Sequence, residues 1–222
     1  MTTDQAVQKR SKAHQRYKTS DGRPCVGVTT VTGKIAKPYL VNWANKLGLD
    51  GYDVGTYVDA LARIGTLAHY LIECDIKGET PDTKDFTANE LESAQGSFKK
   101  WLDWKAKNNF KLIRSEFQMV DDKLQYGGTC DIYAEVNGKK CILDIKTSKS
   151  CYSEHRTQVV AYGKLAKSNG LEVDEVRILR VGRSENEGFE DVLVGGVALH
   201  WKRFQAYLKC YWIDKALEGA GA

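Results

Sequence analysis

The chain has 222 residues and a mass of 24.9 kDa, with 42% hydrophobic and 28% charged residues. This is the composition of an ordinary globular protein, and the length suffices for one large core. No apolar stretch approaches the ~18 residues of a membrane span, and the first residues lack the apolar core of a secretory signal. We therefore expect neither a transmembrane helix nor export.

The six cysteines include no C-x-x-C pair. This spacing argues against a zinc ribbon or a clustered iron–sulfur site. For a chain of this length without an export signal, we expect free thiols in a reducing compartment such as the cytoplasm.

The formal net charge of +4 is unevenly distributed along the chain. Residues 1–40 contain eight Lys or Arg, among them Lys9, Arg10 and Lys12, against two Asp. We interpret 1–20 as a basic, disordered N-terminal segment and 21–222 as one domain. A basic segment suggests a polyanionic partner, and a solvated tail is the alternative interpretation.

The first half of the chain predicts one strand and three helices. Residues 26–33 are rich in Val and Thr and predict a strand. A short helix is predicted over 39–47 and an amphipathic helix over 57–76. The capping box Thr87-Ala-Asn-Glu90 starts a further helix over 87–107.

The second half predicts short strands interrupted by one helix and followed by another. The predicted strands cover 112–120, 126–136, 139–146, 174–182 and 189–195. The predicted helices cover 154–167, capped by Ser153, and 198–217. This order predicts an α/β fold with a mixed central sheet flanked by helices.

Asn137-Gly138 is a strong signal for a two-residue hairpin turn between two of these strands. That turn places Asp131 opposite Asp144, and Thr129 opposite Lys146. Because side chains alternate along a strand, these four residues are predicted to share one face. The other face is predicted to be apolar, and it consists of Cys130, Ile132, Ala134, Cys141, Leu143 and Ile145.

Two directly opposed carboxylates repel each other, because their Cβ atoms are only ~5 Å apart. A divalent cation would offset this repulsion, and Mg²⁺ prefers one or two carboxylates together with waters and substrate phosphates. The alternative is a solvated charged face, as for Glu135 opposite Lys140 on the same hairpin. The D-x-K triplet and its apolar neighbours favour the metal site.

Four motifs resemble those of the PD-(D/E)xK nuclease superfamily, and more narrowly the RecB-type exonucleases, including phage members. They are Gly65-Thr66-Leu67-Ala68-His69, Gly128-Thr129-Cys130-Asp131, Asp144-Ile145-Lys146-Thr147 and Gln158-Val159-Val160-Ala161-Tyr162. They occur in the order that the family shows and span 65–162. The resemblance implies a restriction-endonuclease-like core that hydrolyses DNA with Mg²⁺.

The resemblance also implies the roles of the central residues. Asp131, Asp144 and the backbone carbonyl of Ile145 would hold the metal, with His69 as a further ligand. Lys146 would orient the attacking water and stabilise the developing negative charge.

The same resemblance implies roles for the residues around this centre. Gln158 and Tyr162, one helical turn apart, would contact DNA or the catalytic water. Thr129 and Thr147 adjoin the catalytic set and would bind substrate.

Two glutamates complete the predicted site. Glu73 lies on the same helix face as His69 and would hold its ring or reach a metal-bound water. Glu116 lies on the predicted strand before the site. It would hold a metal ligand in place or bind a second metal.

We therefore expect a Mg²⁺-dependent DNA exonuclease, with Mn²⁺ as a possible substitute, that leaves 5′-phosphates. It would act in replication, recombination or DNA processing in the cytoplasm of a bacterium or a phage-infected host. DNA is the expected partner, and no membrane is involved. No iron–sulfur cluster is expected, because the cysteine set of some RecB-type relatives is absent.

Three alternatives stay open. The chain could be a non-catalytic DNA-binding or assembly protein on the same fold, a structure-specific endonuclease or junction resolvase, or a hydrolase of a small phosphate ester. The intact Asp131, Asp144 and Lys146 argue against the first, and the basic segment suits a polymer better than a small ester.

Overall fold

A seven-stranded mixed sheet forms the centre of the fold and is covered by helices. The computed structural model describes residues 16–220. The strands are β1 Tyr17–Lys18, β2 Pro24–Gly27, β3 Phe110–Asp121, β4 Tyr126–Val136, β5 Lys139–Lys146, β6 Glu175–Val181 and β7 Phe189–Leu193. The helices are α1 Val28–Gly33, α2 Tyr39–Leu49, α3 Val54–Lys77, α4 Ala88–Lys107, α5 Ser153–Ser168 and α6 Val197–Gly219. The predicted α/β class with a mixed central sheet is confirmed.

The strand order is β1-β2-β4-β5-β6-β7, and β3 also pairs with β4. The pairs β2–β4 and β5–β6 are parallel, and the other pairs are antiparallel. Helix α5 is the crossover that parallel strands β5 and β6 require.

Two layers of helices bury the two faces of the sheet. On one face α1, α5 and α6 supply apolar side chains such as Val31, Val160 and Phe204 to a common core. On the other face α3 and α4 supply Ile72 and Trp101. Each layer therefore excludes water from the strands that hold the candidate site residues.

The predicted hairpin is confirmed over most of its length. Asn137 and Gly138 have φ of 52° and 81°, as a two-residue type I′ turn requires. The pairing runs in the predicted register from Val136 with Lys139 to Ile132 with Leu143.

Beyond Ile132 and Leu143 the two strands separate. Strand β3 pairs with one edge of β4 along nearly its whole length. On the other edge β5 pairs with 132–136, and β2 pairs with Tyr126 and Gly127. In the described chain, residues 128–131 therefore have no strand partner on that edge, and this gap positions the candidate site.

The predicted alternation along β4 is wrong at one residue. Cys130 was expected on the same face as Ile132, but it packs in the core beneath α5, whereas Ile132 packs beneath α3 and α4. The alternation shifts at Asp131, and the facing residue of β3, Glu116, has a φ of 47° and is skipped in the β3–β4 pairing. A local irregularity of this kind redirects side chains.

The prediction of a strand over 26–33 is wrong for its second part. Only Pro24–Gly27 is extended, and Val28–Gly33 forms helix α1. Val28 and Val31 lie one turn apart and are buried, while the Thr32 hydroxyl donates to the Val28 carbonyl. Burial of this face outweighs the strand preference of β-branched residues.

The strands predicted over 126–136 and 139–146 match β4 and β5, and the other predicted elements are present with shifted ends. The capping box of Thr87 and Glu90 is confirmed at the start of α4. Helix α5 begins at Ser153, so that Tyr152 and not Ser153 is its cap. In the predicted N-terminal segment, 17–18 form β1, and the basic cluster at 9–12 lies outside the described residues.

A search of the helices within 16–220 finds none with the length and hydropathy needed to cross a membrane.

We predict that Gly128→Ala destabilises the protein by about 1–3 kcal/mol. A Cβ atom at Gly128 would lie 2.6 Å from Cε1 of Tyr162 and 3.2 Å from Cγ2 of Val28. The matched control is Gly48→Ala in α2, where a Cβ atom meets nothing within 4 Å. That change should stabilise the helix by about 0.5–1 kcal/mol. Urea unfolding measures both changes, and equal stabilities would contradict the close packing at Gly128.

Candidate functional site

A cavity of about 390 Å³ opens where β4 separates from β5. It brings together residues from both halves of the chain: acids and a lysine on the hairpin, polar groups of α3 and α5, and hydroxyls of the N-terminal elements. The polar residues that line it are Tyr17, Thr29, Thr30, His69, Thr129, Asp131, Asp144, Lys146, Gln158 and Tyr162.

Asp131 occupies the gap in the sheet and is only 7% exposed. Its Oδ2 accepts a hydrogen bond of 2.9 Å from the backbone N–H of Ile145. The carboxylate therefore satisfies a buried donor that a strand carbonyl would otherwise bind. The Nδ1 atom of His69 lies 3.9 Å from the same oxygen.

Asp144 is 1% exposed and lies beside a cation. The Nζ atom of Lys146 is 2.7 Å from Oδ2 of Asp144. The side-chain amide of Gln158 donates to Oδ1 over 3.4 Å, a long hydrogen bond. Lys146 is mostly buried as well, so this ion pair is weakly screened by solvent.

The two acids thus line one cavity, although they are not a paired position of the β4–β5 ladder. From the sequence we expected a divalent cation to offset the repulsion between the two carboxylates. In the structure, the Lys146 ammonium group and the Ile145 amide offset part of it. Both are groups of the protein itself.

Helix α5 contributes Gln158 and Tyr162 to the cavity, as their spacing of one turn predicts. The Gln158 amide donates to the Tyr162 hydroxyl over 3.3 Å. Burial raises the pKa of Tyr162 well above its ordinary value, and the charges of Asp144 and Asp131 raise it further. The hydroxyl therefore stays protonated and can donate a hydrogen bond into the cavity.

His69 reaches the cavity because α3 packs closely on the end of β5. A Cβ atom at Gly65 would lie only 2.8 Å from Oγ1 of Thr147. Glycine at this position lets the helix approach, and His69 follows one turn later. Thr147, predicted to bind substrate, lies against Gly65 and is not among the lining residues of the cavity.

Thr129 lines the cavity and is bonded to a residue that the motifs did not indicate. Its Oγ1 lies 3.0 Å from the hydroxyl of Tyr17 in β1. Thr29 and Thr30 at the start of α1 complete this wall. Sequence reasoning missed Tyr17 because the pairing of a two-residue strand has no local signal.

Glu73 and Glu116 lie behind the main cavity. Together with His69 and Asp131 they line a smaller, adjoining cleft. Glu73 forms an ion pair with Lys77 one turn along α3. The structure thus brings both glutamates near Asp131, and the roles assigned to them stay predictions.

The donors at this site have the chemistry that Mg²⁺ prefers. Asp131 and Asp144 supply carboxylate oxygens to the cavity, which leaves room for waters. Ile145, whose backbone carbonyl was predicted as a further ligand, lines the adjoining cleft and is not among the residues that line the main cavity. Within residues 16–220, no group of three or more His, Cys, Asp or Glu has the spacing to hold a metal. Two carboxylates are a donor set that Mg²⁺ accepts when waters supply the remaining ligands.

His155, in the first turn of α5, is held neutral. Burial lowers its pKa to about 4, and the positive charge of Lys146 adds to this effect. Its Nδ1 atom accepts the backbone N–H of Tyr152 over 3.3 Å, which is possible only while that nitrogen is unprotonated. The start of α5 therefore depends on a neutral imidazole.

The comparisons with known proteins do not identify a family. No protein-family profile matches the chain, and no curated protein matches it significantly. One similar solved structure is the "Crystal structure of SSO0001", with 14% identity and a TM-score of 0.45. The match covers 95% of this chain and 87% of that one. A likeness of this size carries no argument about function.

We predict that the stability of the protein falls as the pH is lowered from about 6.5 to about 4, the ordinary and folded pKa values of His155. The unfolded chain binds a proton in this window that the folded chain refuses, so folding is penalised progressively, by up to about 3 kcal/mol. His155→Gln keeps an acceptor for the Tyr152 amide without titrating. Its unfolding free energy should vary less over this window than that of the wild type. Parallel curves from urea unfolding would contradict this role.

Proposed function

We propose that the protein is a metal-dependent deoxyribonuclease of the PD-(D/E)xK type, with Mg²⁺ as its ion and exonucleolytic hydrolysis of DNA as its reaction. The observation that supports this proposal is the gathering of Asp131, Asp144 and Lys146 in one open cavity at a gap in the sheet. A buried pair of an acid and a lysine contributes little net stability to a fold, and such groups cluster at functional sites.

The four motifs also support the proposal, because residues from all four lie around the same cavity. His69 of the first motif, Asp131 of the second, Lys146 of the third and Tyr162 of the fourth line the same cavity. These residues come from α3, from the β4–β5 hairpin and from α5. Chance matches in four separate segments would not be expected to meet.

Asp131, Asp144 and the carbonyl of Ile145 would hold the ion. When bound, a divalent ion neutralises charge on the scissile phosphate and acidifies a water molecule. The water oxygen attacks phosphorus, the bond to the 3′ oxygen breaks, and the departing oxygen takes up a proton. The products are a 5′-phosphate and a 3′-hydroxyl.

Lys146 has two tasks in this reaction. Its ammonium group lies 2.7 Å from Asp144, which fixes its position at the acid pair. From there it orients the attacking water and stabilises the negative charge that develops on phosphate. Gln158 and the protonated Tyr162 hydroxyl supply neutral hydrogen bonds to the same region.

We predict that Asp144→Asn, Asp131→Asn and Lys146→Ala each lower Mg²⁺-dependent cleavage of end-labelled DNA by at least about a hundredfold. The asparagine at 131 still accepts the Ile145 amide, so the fold should persist. EDTA should abolish cleavage by the wild type, and Mn²⁺ should restore it.

The control is Glu135→Gln on the same hairpin. Glu135 pairs in register with Lys140, and it lies outside the cavity. This variant should cleave DNA as the wild type does. Binding of DNA without cleavage under either metal would instead favour a non-catalytic DNA-binding protein. Cuts within closed circular DNA would favour an endonuclease.

A further inference from the structure

Helix α2 is a surface helix with an unusual number of exposed apolar side chains. None of its residues is buried. Tyr39 is 43% exposed and Trp43 is 39% exposed, and they lie one turn apart on the same side of the helix. The turn that follows adds Tyr52, which is 57% exposed.

The aromatic rings of this region contact one another in two groups. The ring centroids of Trp43 and Tyr57 are 6.1 Å apart, and those of Tyr52 and Tyr57 are 5.9 Å apart. At the other end, Tyr39 stacks on Tyr152 with 5.5 Å between centroids. We call the exposed rings Tyr39, Trp43, Tyr52 and Tyr57 the aromatic track.

One end of the aromatic track is anchored beside the candidate site. The Tyr39 hydroxyl donates to Glu154 of α5 over 3.2 Å, and Lys37 contacts the same carboxylate at 3.4 Å. Gln158, which reaches Asp144, lies one turn further along α5. The Tyr39 end of the track therefore contacts α5 one helical turn from a residue that lines the cavity.

We propose that the aromatic track is a stacking surface for the unpaired bases of single-stranded DNA, along which a strand reaches the cavity. This inference rests on DNA as the substrate of the proposed function, and it adds the strand preference. Each ring offers a face to one base, and such stacking tolerates any sequence because every base has a π face.

The charges of this region do not attract phosphates, so the rings would have to supply the affinity for a strand. Residues 39–60 contain Lys46 against Asp50, Asp53 and Asp59. Asp53 caps α3 by accepting the Thr56 amide at 2.7 Å. A strand held here would place its bases on the rings and turn its phosphates outward. Exposed aliphatic side chains such as Val41 and Leu49 accompany the rings, so a protein surface is the competing occupant.

The test compares two labelled probes of equal length, an oligothymidylate and an abasic oligomer with the same phosphates. Fluorescence anisotropy with EDTA measures binding without cleavage. The wild type should bind the oligothymidylate about tenfold more tightly than the abasic probe. Trp43→Leu should lose most of this preference, Trp43→Phe should retain it, and Tyr52→Leu should reduce it. The control Leu199→Ala removes an apolar group of α6 that is even more exposed, at 72%, and it should change nothing.

Equal binding of both probes by the wild type would overturn the proposal, as would a Trp43→Leu variant with the full preference. Sedimentation measures whether the chain associates with itself. If Trp43→Leu abolishes such association and leaves DNA binding unchanged, the surface belongs to a second copy of the chain and the proposal is wrong. Base-dependent binding by a wild type that cleaves no DNA with Mg²⁺ would count against the nuclease proposal and leave the aromatic track supported.

Discussion

The site depends on one hydrogen bond of the sheet, which is accepted by a side chain instead of by the backbone of the neighbouring strand. Asp131 accepts the Ile145 amide that the continued β4–β5 ladder would otherwise engage. Because a buried amide must be satisfied, this bond allows the two strands to separate without leaving a donor unpaired. The space between them becomes the cavity, and the carboxylate that permits the separation is itself one of its walls.

The separation also explains why the N-terminal elements belong to the site. Once β5 leaves the edge of β4, β2 pairs with Tyr126 and Gly127 at the far side of the gap. The chain then turns directly into α1, which faces the hairpin acids across the cavity. Tyr17 is brought in by the pairing of β1 with β2 and bonds to Thr129. A polar wall of hydroxyl groups thus forms from residues that the motifs did not indicate.

The sequence predicted the parts of the fold that have local causes. The turn at Asn137-Gly138 needs positive φ at both positions, and the capping box at Thr87 is complete within four residues. The failures have distant causes. Val28–Gly33 is helical because its valines are buried under α5 and α6. The alternation of β4 shifts at Asp131, where the neighbouring Glu116 of β3 has a positive φ that no local sequence signal predicts. The motifs predicted His69, Asp131, Asp144 and Lys146 as neighbours, but Tyr17 and the α1 threonines enter through tertiary pairing alone.

The charge balance of the cavity gives the proposed ion a physical role. Of the side chains that line it, Asp131 and Asp144 are acids, and Lys146 is a base. A phosphodiester entering this space would meet an excess of negative charge in a setting that screens charge poorly. The ammonium charge of Lys146 offsets one carboxylate charge and not two, so it stabilises a phosphate more fully once an added cation has offset the second. A divalent cation held by these acids would reverse the sign of the charge in the cavity, and the site would then attract the phosphodiester of the proposed substrate.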